Sequence, residues 1–319
     1  MKNNKILVTG GHGFIGAHLV RRLLQEEAQV SILAKKNANL WRIQDILKDI
    51  QVCNGDIVDT QKTNNILRKL KPDYIFHLAA DSRCSSKTNS IQKIKTNIIG
   101  TANITEAIAQ IGCKKIINLG SSSEYGTSLQ KIDENTEINP IDIYGITKST
   151  ATKIAHNIAL KHKMDIVTLR PFNIFGEGES SERLFPYIIL QLLQGKNVPL
   201  TNCTQTRDYC YIENVITALI LAAKNPNLKN EIFNIGSGIT HSLQYFVEII
   251  FKNFETNKKP LYGSLPYKES ERMNVSSDVS KIKRILNWDI TISLEKGIQN
   301  TIKWYKENFE WYLKNTKNM

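Results

Sequence analysis

A chain of 319 residues in which 41% are hydrophobic can bury a substantial core, and its length favours two lobes over one compact unit. Its 42 basic and 30 acidic side chains give a formal charge of +12, but the basic residues are scattered rather than clustered as in a nucleic-acid-binding protein. This excess suits a protein that handles polyphosphate ligands, and we expect neither a nucleic-acid nor a membrane partner.

The spacing of cysteines, histidines and apolar residues excludes further classes of protein. The five cysteines and six histidines are dispersed without CxxC or HExxH spacing, which argues against a disulfide framework and against a metal site. No apolar run approaches the roughly 18 residues that a membrane span needs. The basic start is followed by too few apolar residues for a signal peptide, so we expect a soluble, cytoplasmic protein.

Short β-branched runs alternate with helical patterns from residue 5 to about residue 170. The runs are KILVT, VSIL, DYIFHL, KKIINL and DIVTL. Strands separated by helices indicate βαβ units, and therefore an α/β fold with a doubly wound, mostly parallel sheet over residues 1–172.

The regular alternation breaks after RPFNIFGEG at residues 170–178. Residues 173–319 are therefore predicted to form a smaller α/β substrate-binding lobe, partly interleaved with the first domain. Within it, EIFNIG at residues 231–236 is predicted to be a strand. One C-terminal helix is predicted to pack on its own domain through apolar residues at helical spacing, namely Ile298, Ile302, Tyr305, Phe309 and Tyr312.

The segment TGGHGFIG, at residues 9–16, directly follows the first predicted strand. Glycines here permit a tight turn, let the backbone approach a pyrophosphate and allow the next helix to pack closely on the strand. The amino terminus of that helix then faces the anion. The order of strand, glycine loop, helix and strand is typical of a Rossmann-type dinucleotide site, and it predicts cofactor contacts from Gly10, Gly13, Phe14, Ile15 and Gly16.

The end of the second predicted strand carries information on the cofactor. NAD-binding proteins of this design usually have an acidic residue there, which holds the ribose 2′-hydroxyl. In this chain the position falls at or near Ala34, and Lys35 and Lys36 follow it. A carboxylate would repel a 2′-phosphate and lysines attract one, so the sequence predicts NADP(H), with both lysines as phosphate contacts.

Two further strand ends are predicted to reach the cofactor. NGDIVD, at residues 54–59, follows the third strand, and HLAA, at residues 77–80, ends the fourth. A doubly wound sheet presents residues to its ligand at the carboxyl ends of its strands. We therefore expect cofactor contacts from Asp56, Ile57, Leu78, Ala79 and Ala80.

YGITK, at residues 144–148, places a tyrosine and a lysine four residues apart in a predicted helix, on one face. A free tyrosine has a pKa of about 10, and a neighbouring ammonium stabilises the phenolate. Lys148 would therefore make Tyr144 a usable acid or base near neutral pH. GSSSEYG ends the fifth predicted strand at the same edge, where a serine hydroxyl can hold the substrate oxygen.

Together these motifs resemble the extended short-chain dehydrogenase/reductase family that modifies nucleotide sugars. The resemblance covers nearly the whole chain and runs, in order, through TGGHGFIG, GDI, HLAA, NIIGT, GSSSEYG, YGITK, RPFNIFG, RDYCYIENV, FNIGSG and SSDVSKIKRILNW. It implies a nucleoside-diphosphate sugar as substrate and a homodimer.

The resemblance also implies roles for single residues. Ser121 would be the catalytic serine, Tyr144 the proton donor or acceptor, and Lys148 the residue that binds the nicotinamide ribose and tunes the tyrosine. The matching motifs add Asn97 and Pro171 to the cofactor site. On the substrate side, Asn173 would contact the nucleotide sugar, Arg207 the diphosphate, and either Lys268 or Arg272 would act as a second cation there.

Departures from the family pattern narrow the implied chemistry. The 4,6-dehydratases carry an acidic residue, often an Asp-Glu pair, after the catalytic serine or threonine, where this chain has Ser122 and Ser123. The epimerase-reductases that make GDP-fucose use a cysteine in this run and a later histidine, where this chain has Ser123 and, near the expected place, Arg183. Dehydration and C3/C5 epimerisation are therefore disfavoured, and we expect these three side chains to line the substrate pocket.

Hydride transfer at C4 of the sugar is the implied reaction that remains after dehydration and C3/C5 epimerisation are disfavoured. The sequence predicts an NADPH-dependent 4-ketoreductase that makes a GDP-, CDP- or dTDP-linked deoxysugar for surface polysaccharide such as O-antigen. An NAD-dependent 4-epimerase, which uses the same residues, stays open. A protein of another class, which only binds a dinucleotide or RNA, is also open, but the intact Ser121, Tyr144 and Lys148 argue against it.

Overall fold

The computed structural model describes residues 1–82, 89–267 and 271–316. Its strands are, in chain order, β1 (Lys5–Thr9), β2 (Gln29–Ala34), β3 (Gln51–Asn54), β4 (Tyr74–His77), β5 (Lys115–Leu119), β6 (Ile166–Pro171), β7 (Asn173–Phe175), β8 (Val198–Pro199), β9 (Thr206–Arg207), β10 (Tyr209–Tyr211), β11 (Glu231–Ile235), β12 (His241–Ser242), β13 (Pro260–Leu261) and β14 (Asn274–Val275).

Helices connect most of these strands. They are α1 (Phe14–Gln25), α2 (Thr60–Leu70), α3 (Ser90–Lys93), α4 (Gly100–Ile111), α5 (Ile143–Lys161), α6 (Leu184–Leu193), α7 (Ile212–Lys224), α8 (Leu243–Lys252), α9 (Ser280–Leu286), α10 (Leu294–Glu307) and α11 (Phe309–Thr316). A π-helical turn at Ile94–Ile99 joins α3 to α4, and 3₁₀ turns lie at Trp41–Asp49 and Ser122–Glu124. No helix in the described part of the chain is long and apolar enough to cross a bilayer.

Within the described residues, seven parallel strands form the central sheet in the order β3-β2-β1-β4-β5-β6-β11. The inner strands β1, β4, β5 and β6 are buried on both faces, since successive side chains point to opposite sides and helices cover each side. Ile6 and Val8 pack with α1 and α7, whereas Leu7 packs with α2, α4 and α5. The predicted α/β Rossmann-type doubly wound sheet is therefore confirmed.

The strand order reverses direction at β1. The chain runs outward through β2 and β3 and then returns to form β4 on the other side of β1. In open α/β sheets, a crevice for ligands forms outside the carboxyl ends of the strands at such a point. The ligand crevice is therefore expected beside the residues that follow β1, β4 and their neighbouring strands.

Three small sheets are formed by strands that follow β6. They pair β7 with β10, β8 with β13, and β9 with β12 and β14. The strand predicted at EIFNIG is present as β11, and it pairs with β6 in the central sheet. Helix α7, which precedes it, packs on α1, so the chain returns to the first domain before it leaves again.

The C-terminal apolar face is buried, but it belongs to two helices where one was predicted. Asn308 separates α10 from α11, and both its backbone N–H and its side-chain amide donate to the carbonyl of Trp304. A side chain that binds the backbone in this way competes with continued helix. On either side of the break, Tyr305 and Tyr312 donate their hydroxyls to the carbonyl of Glu179.

Candidate active site

The glycine loop after β1 lies against the end of β4. Gly10 has φ +70°, in the left-handed region, and a Cβ there would lie 2.8 Å from the backbone nitrogen of Ala79. A Cβ on Gly16 would collide with the carbonyl oxygen of Gly10. Both positions therefore require glycine, one for a close approach of two backbones and one for packing of α1 on the loop.

The amino terminus of α1 fits a bound anion. Gly13 is the residue before the helix, and no side chain caps the first turn. No acidic residue lies in that turn, which begins with the half-buried Phe14 and Ile15. Its backbone N–H groups and the positive end of the helix dipole can therefore face a pyrophosphate. The loop is suited to the dinucleotide that the sequence predicts.

Lys35 and Asp56 come together from two neighbouring strand ends. Strand β2 ends at Ala34 as expected, and the exposed Lys35 places its Nζ 2.8 Å from Oδ2 of Asp56. The other carboxylate oxygen of Asp56 accepts the backbone N–H of Val58. Lys36 is exposed and forms no ion pair with a described residue. Two cations and one carboxylate thus lie at this end of the crevice.

A series of buried hydrogen bonds, which sequence reasoning missed, lies at the end of β4. His77 lies between the hydroxyls of Thr9 on β1 and Thr101 on α4, at 2.7 and 2.9 Å. Burial lowers the pKa of His77 to about 3, and the charge of Lys148 acts in the same direction. The neutral ring therefore joins β1, β4 and α4 directly below Leu78 and Ala79, whose backbone N–H groups both donate to Thr9.

The predicted cofactor residues Ile57 and Ala80 lie beside this edge, and Asn97 links it to α5. Ile57 is buried against Gly100, while Ala80 is half-buried. The fully buried Asn97 accepts the backbone N–H of Asp81 at 2.7 Å, and its amide donates to Thr147 of α5 at 3.0 Å. Asn97 therefore fixes the position of α5 relative to the end of β4.

The serine turn and the start of α5 are in direct contact. Ser121 precedes the 3₁₀ turn after β5, and its Oγ accepts the backbone N–H of Ser123 at 3.1 Å. Gly145, in the first turn of α5, lies so close that an added Cβ would collide with the carbonyl oxygen of Ser123. The half-buried Tyr144 is the neighbour of this glycine. The fold thus brings the tyrosine helix to the serine turn, as the sequence predicts.

Lys148 is anchored at the end of β5. The residue is 5% exposed, and its Nζ donates to the carbonyl oxygen of Leu119 at 2.5 Å, two residues before Ser121. Burial lowers the pKa of Lys148, whereas the carboxylate of Glu124 acts in the opposite direction. Ser121, Tyr144 and Lys148 therefore converge at one strand end, and Pro171 ends the adjacent β6.

Glu124 and Arg170 form a buried ion pair beneath the serine turn. Nε of Arg170 lies 2.8 Å from Oε2 of Glu124, and neither side chain is more than 5% exposed. Burial opposes the charged form of Arg170, but Glu124 and Tyr125 still hold its pKa above the usual value. Sequence reasoning did not single out this pair, although a glutamate in the serine segment, next to Tyr125, was a visible signal.

Two arginines predicted to bind the diphosphate lie in the part of the chain that follows β6. Arg207, at the end of β9, forms an ion pair with Glu271 and donates to the carbonyl of Thr206. Burial lowers the pKa of Arg272, and the charge of Arg207 adds to this effect. Lys268, the other candidate for the second cation, lies outside the described residues. Among the described residues, Arg272 therefore lies near enough to Arg207 for the two positive charges to repel each other.

The remaining substrate candidates are held by different parts of the lobe. Asn173 starts β7, and its amide donates to the backbone carbonyl of Asp208 at 3.2 Å. Arg183 is exposed at the start of α6, near the buried Glu179. Ser122 is buried, whereas Ser123 is half-buried. Ser122 and Ser123 lie at the catalytic edge because they directly follow Ser121. Among the described residues, no hydrogen bond joins the side chain of Arg183 to that edge.

Asp208 holds the corner between β9 and β10, and sequence reasoning missed it although it lies within the RDYCYIENV motif. It is fully buried, and its carboxylate accepts the backbone N–H groups of Ser237 and Gly238 and the hydroxyls of Ser237 and Ser277. A buried carboxylate with this many donors is satisfied without a cation. It fixes the loop after β11 beside the strand that carries Arg207.

Comparison with known proteins agrees with this geometry. The model of the "NAD dependent epimerase/dehydratase family" matches residues 6–236. UDP-glucuronate 4-epimerase from Thermodesulfobacterium geofontis is 28% identical over 95% of this chain and 97% of its own length. The solved UDP-glucose 4-epimerase of Thermotoga maritima, with UDP-glucose, superposes with a TM-score of 0.89 at 26% identity, covering 95% of this chain and 99% of that one. MoeE5 in complex with UDP-glucose and NAD gives 0.85 at 25% identity, covering 96% and 99%.

Proposed function

Because this chain belongs to the NAD dependent epimerase/dehydratase family of nucleotide-sugar enzymes, we propose that it reduces the C4 keto group of a nucleoside-diphosphate-4-keto-6-deoxyhexose with NADPH. The observation that carries this proposal is the end of β2, where Lys35 and Lys36 stand in place of a carboxylate. The lysines favour NADP(H). A reductase consumes NADPH in each turnover, whereas a 4-epimerase retains its NAD, so this preference favours the reductase.

The surroundings of Ser121 support reduction over dehydration. Elimination of water needs an acid and a base beside the sugar, and the two residues after Ser121 are serines. Glu124 is the next acidic residue, but it is fully buried and both of its carboxylate oxygens are bound, to Ser121, Thr152 and Arg170. It is therefore unsuited to act as the missing acid or base.

The proposed chemistry needs one proton donor. When bound, the reduced nicotinamide would supply a hydride to the carbonyl carbon. Tyr144 then gives its phenolic proton to the oxygen that becomes the C4 hydroxyl, while Ser121 holds that oxygen by a hydrogen bond. Lys148, held by Leu119, keeps a positive charge near the phenol and makes it the stronger acid.

Reversing the charge of Lys35 and Lys36 should change the cofactor preference. In K35E/K36E, two carboxylates would repel the 2′-phosphate, so we expect the ratio of NADPH to NADH affinity to fall at least about tenfold, which is about 1.4 kcal/mol. Fluorescence titration with both reduced cofactors measures this ratio. K258E/K259E, a matched pair in the second lobe, should leave the ratio unchanged. An unchanged ratio in K35E/K36E would refute the phosphate assignment.

Removing Arg207 or Arg272 should weaken substrate binding more than chemistry. Each guanidinium can hold an oxygen of the diphosphate, which is remote from C4, so we expect R207A and R272A to raise KM about tenfold or more with a smaller fall in kcat. Steady-state kinetics measure the two constants. R68A removes an exposed arginine on α2 and serves as the control. Equal loss of kcat at unchanged KM would contradict a binding role.

A 4-epimerase is the second candidate, because two of the similar proteins described above are 4-epimerases. The two functions differ in the fate of the cofactor. We expect mass spectrometry of the purified protein to detect no tightly held NAD, and NADPH to be oxidised when a nucleotide 4-keto-6-deoxy sugar is added, with NMR identifying a C4 alcohol. Retained NAD and interconversion of two sugars without net oxidation would establish the epimerase instead.

A further inference from the structure

Glu124 connects three elements that meet at the catalytic edge. Its Oε1 accepts the backbone N–H of Ser121 at 2.9 Å and the hydroxyl of Thr152, on α5, at 3.1 Å. Its Oε2 accepts Nε of Arg170, on β6, at 2.8 Å. Thr152 lies one helical turn after Lys148 and therefore on the same face of α5. One carboxylate thus ties the serine turn to the helix that carries the lysine.

The same carboxylate is a source of negative charge for Lys148. The lysine is buried, and its Nζ is bound to a neutral backbone carbonyl, that of Leu119. An ammonium taken out of water in this way loses stability unless a nearby anion compensates. Glu124 acts on Lys148 in the direction of the charged form.

The other titratable groups around Lys148 do not take this role. His77, on β4, is neutral because burial lowers its pKa to about 3. Tyr144 lies one turn earlier on α5 and is the partner that the lysine is proposed to tune. Arg170, on β6, is a second cation. Its repulsion of the lysine is offset by the negative charge of Glu124, with which it forms the ion pair.

Among the described residues on this side of α5, Asp81 and Lys93 form a further ion pair. Its atoms are 3.6 Å apart, and it adjoins Asn97, which binds Thr147. Its two charges are opposite and both are buried, so their combined effect on Lys148 is small.

We propose that Glu124 is a positioning residue of this site: it fixes the Ser121 turn against α5 and supplies the negative charge that holds the Lys148 ammonium. The inference rests on the proposed function only in giving the lysine a catalytic task. The two roles of Glu124, fixing the serine turn and supplying a negative charge, can be tested separately. A glutamine at position 124 can still accept the hydrogen bonds from Ser121 and Thr152, but it carries no charge.

Opposite substitutions in the ion pair give the sharpest test. In E124Q the lysine loses its anion and faces Arg170 alone, so its pKa should fall by about one unit. In R170Q the anion is no longer offset, so the pKa of Lys148 should rise. A purely structural ion pair predicts that both variants disturb the site in the same way, whichever residue is removed.

The pKa of Lys148 can be measured without substrate or cofactor. Lysine labelled with ¹³C at Cε gives a titration curve by NMR, and the signal of Lys148 is identified by its loss in K148R. We expect a lower midpoint in E124Q, a higher midpoint in R170Q and an intermediate one in E124Q/R170Q. Equal midpoints in the wild type and both single variants would overturn the proposal. If E124Q does not fold, R170Q alone decides, because a midpoint that stays or falls there contradicts the inference.

Kinetics then connect the charge to turnover. With a keto-sugar substrate, E124Q should lower kcat with little change in KM, and the alkaline limb of its kcat profile should move to lower pH, because the lysine loses its proton earlier. R170Q should move that limb to higher pH. If the NMR midpoints shift but no keto-sugar is turned over, the proposed function is contradicted while the role of Glu124 stands. If a keto-sugar is turned over but the alkaline limbs of the kcat profiles do not move, the role of Glu124 is contradicted while the proposed function stands.

Discussion

Replacing Tyr144 with phenylalanine should lower kcat by about 10²- to 10⁴-fold, which is the range that one general acid contributes. The substitution removes a single oxygen from a half-buried ring at the start of α5. Of the described neighbours, neither Lys148 nor Glu124 is placed to take over its task, because Lys148 is bound to Leu119 and Glu124 is fully buried. Stopped-flow measurement of NADPH oxidation, with the keto-sugar in excess, would give the rate of the chemical step.

The binding of NADPH should survive in Y144F, since the glycine loop and the lysines after β2 are untouched. Fluorescence titration would therefore separate a lost proton donor from a lost cofactor site. Y187F is a matched control, because it removes a hydroxyl that binds the carbonyl of Pro199 in the second lobe, and its kcat should match the wild type. Wild-type turnover in Y144F would remove the basis of the proposed mechanism.

The parts of the site that could be predicted from the sequence are those fixed by local pattern. TGGHGFIG works through backbone conformation and close packing, which glycine spacing records directly, and YGITK works through the helical repeat. Strand ends are readable for the same reason, since β2 does end at Ala34. In each case a short segment determines both the local structure and the position of the residue at the sheet edge.

The ion pair of Glu124 and Arg170 shows what the sequence could not supply. The residues are 46 positions apart, and the pair exists because β5 and β6 are neighbours in the sheet. The pairing of β11 with β6 could not be read from the sequence for a similar reason, because it depends on where the intervening chain leaves and re-enters the central sheet. Long-range pairing is a property of the assembled fold, and hydrophobic spacing within a segment carries little record of it.

Replacing Gly10 with alanine should abolish tight cofactor binding, and Gly112→Ala provides a matched control. Both glycines have a positive φ, +70° and +78°, so each alanine costs about 1–3 kcal/mol of backbone strain. They differ in their surroundings. A Cβ on Gly10 would lie 2.8 Å from the backbone of Ala79, whereas a Cβ on Gly112 meets nothing within 4 Å.

The expected results follow from that difference. G112A should lose stability in thermal unfolding but bind NADPH as the wild type does. G10A should lose at least as much stability and also bind NADPH at least about a hundredfold more weakly, because β1 and the end of β4 must move apart where the pyrophosphate would lie. If G10A kept wild-type affinity, the close approach of these two backbones would have no part in holding the dinucleotide, and the site would have to be sought elsewhere on the sheet edge.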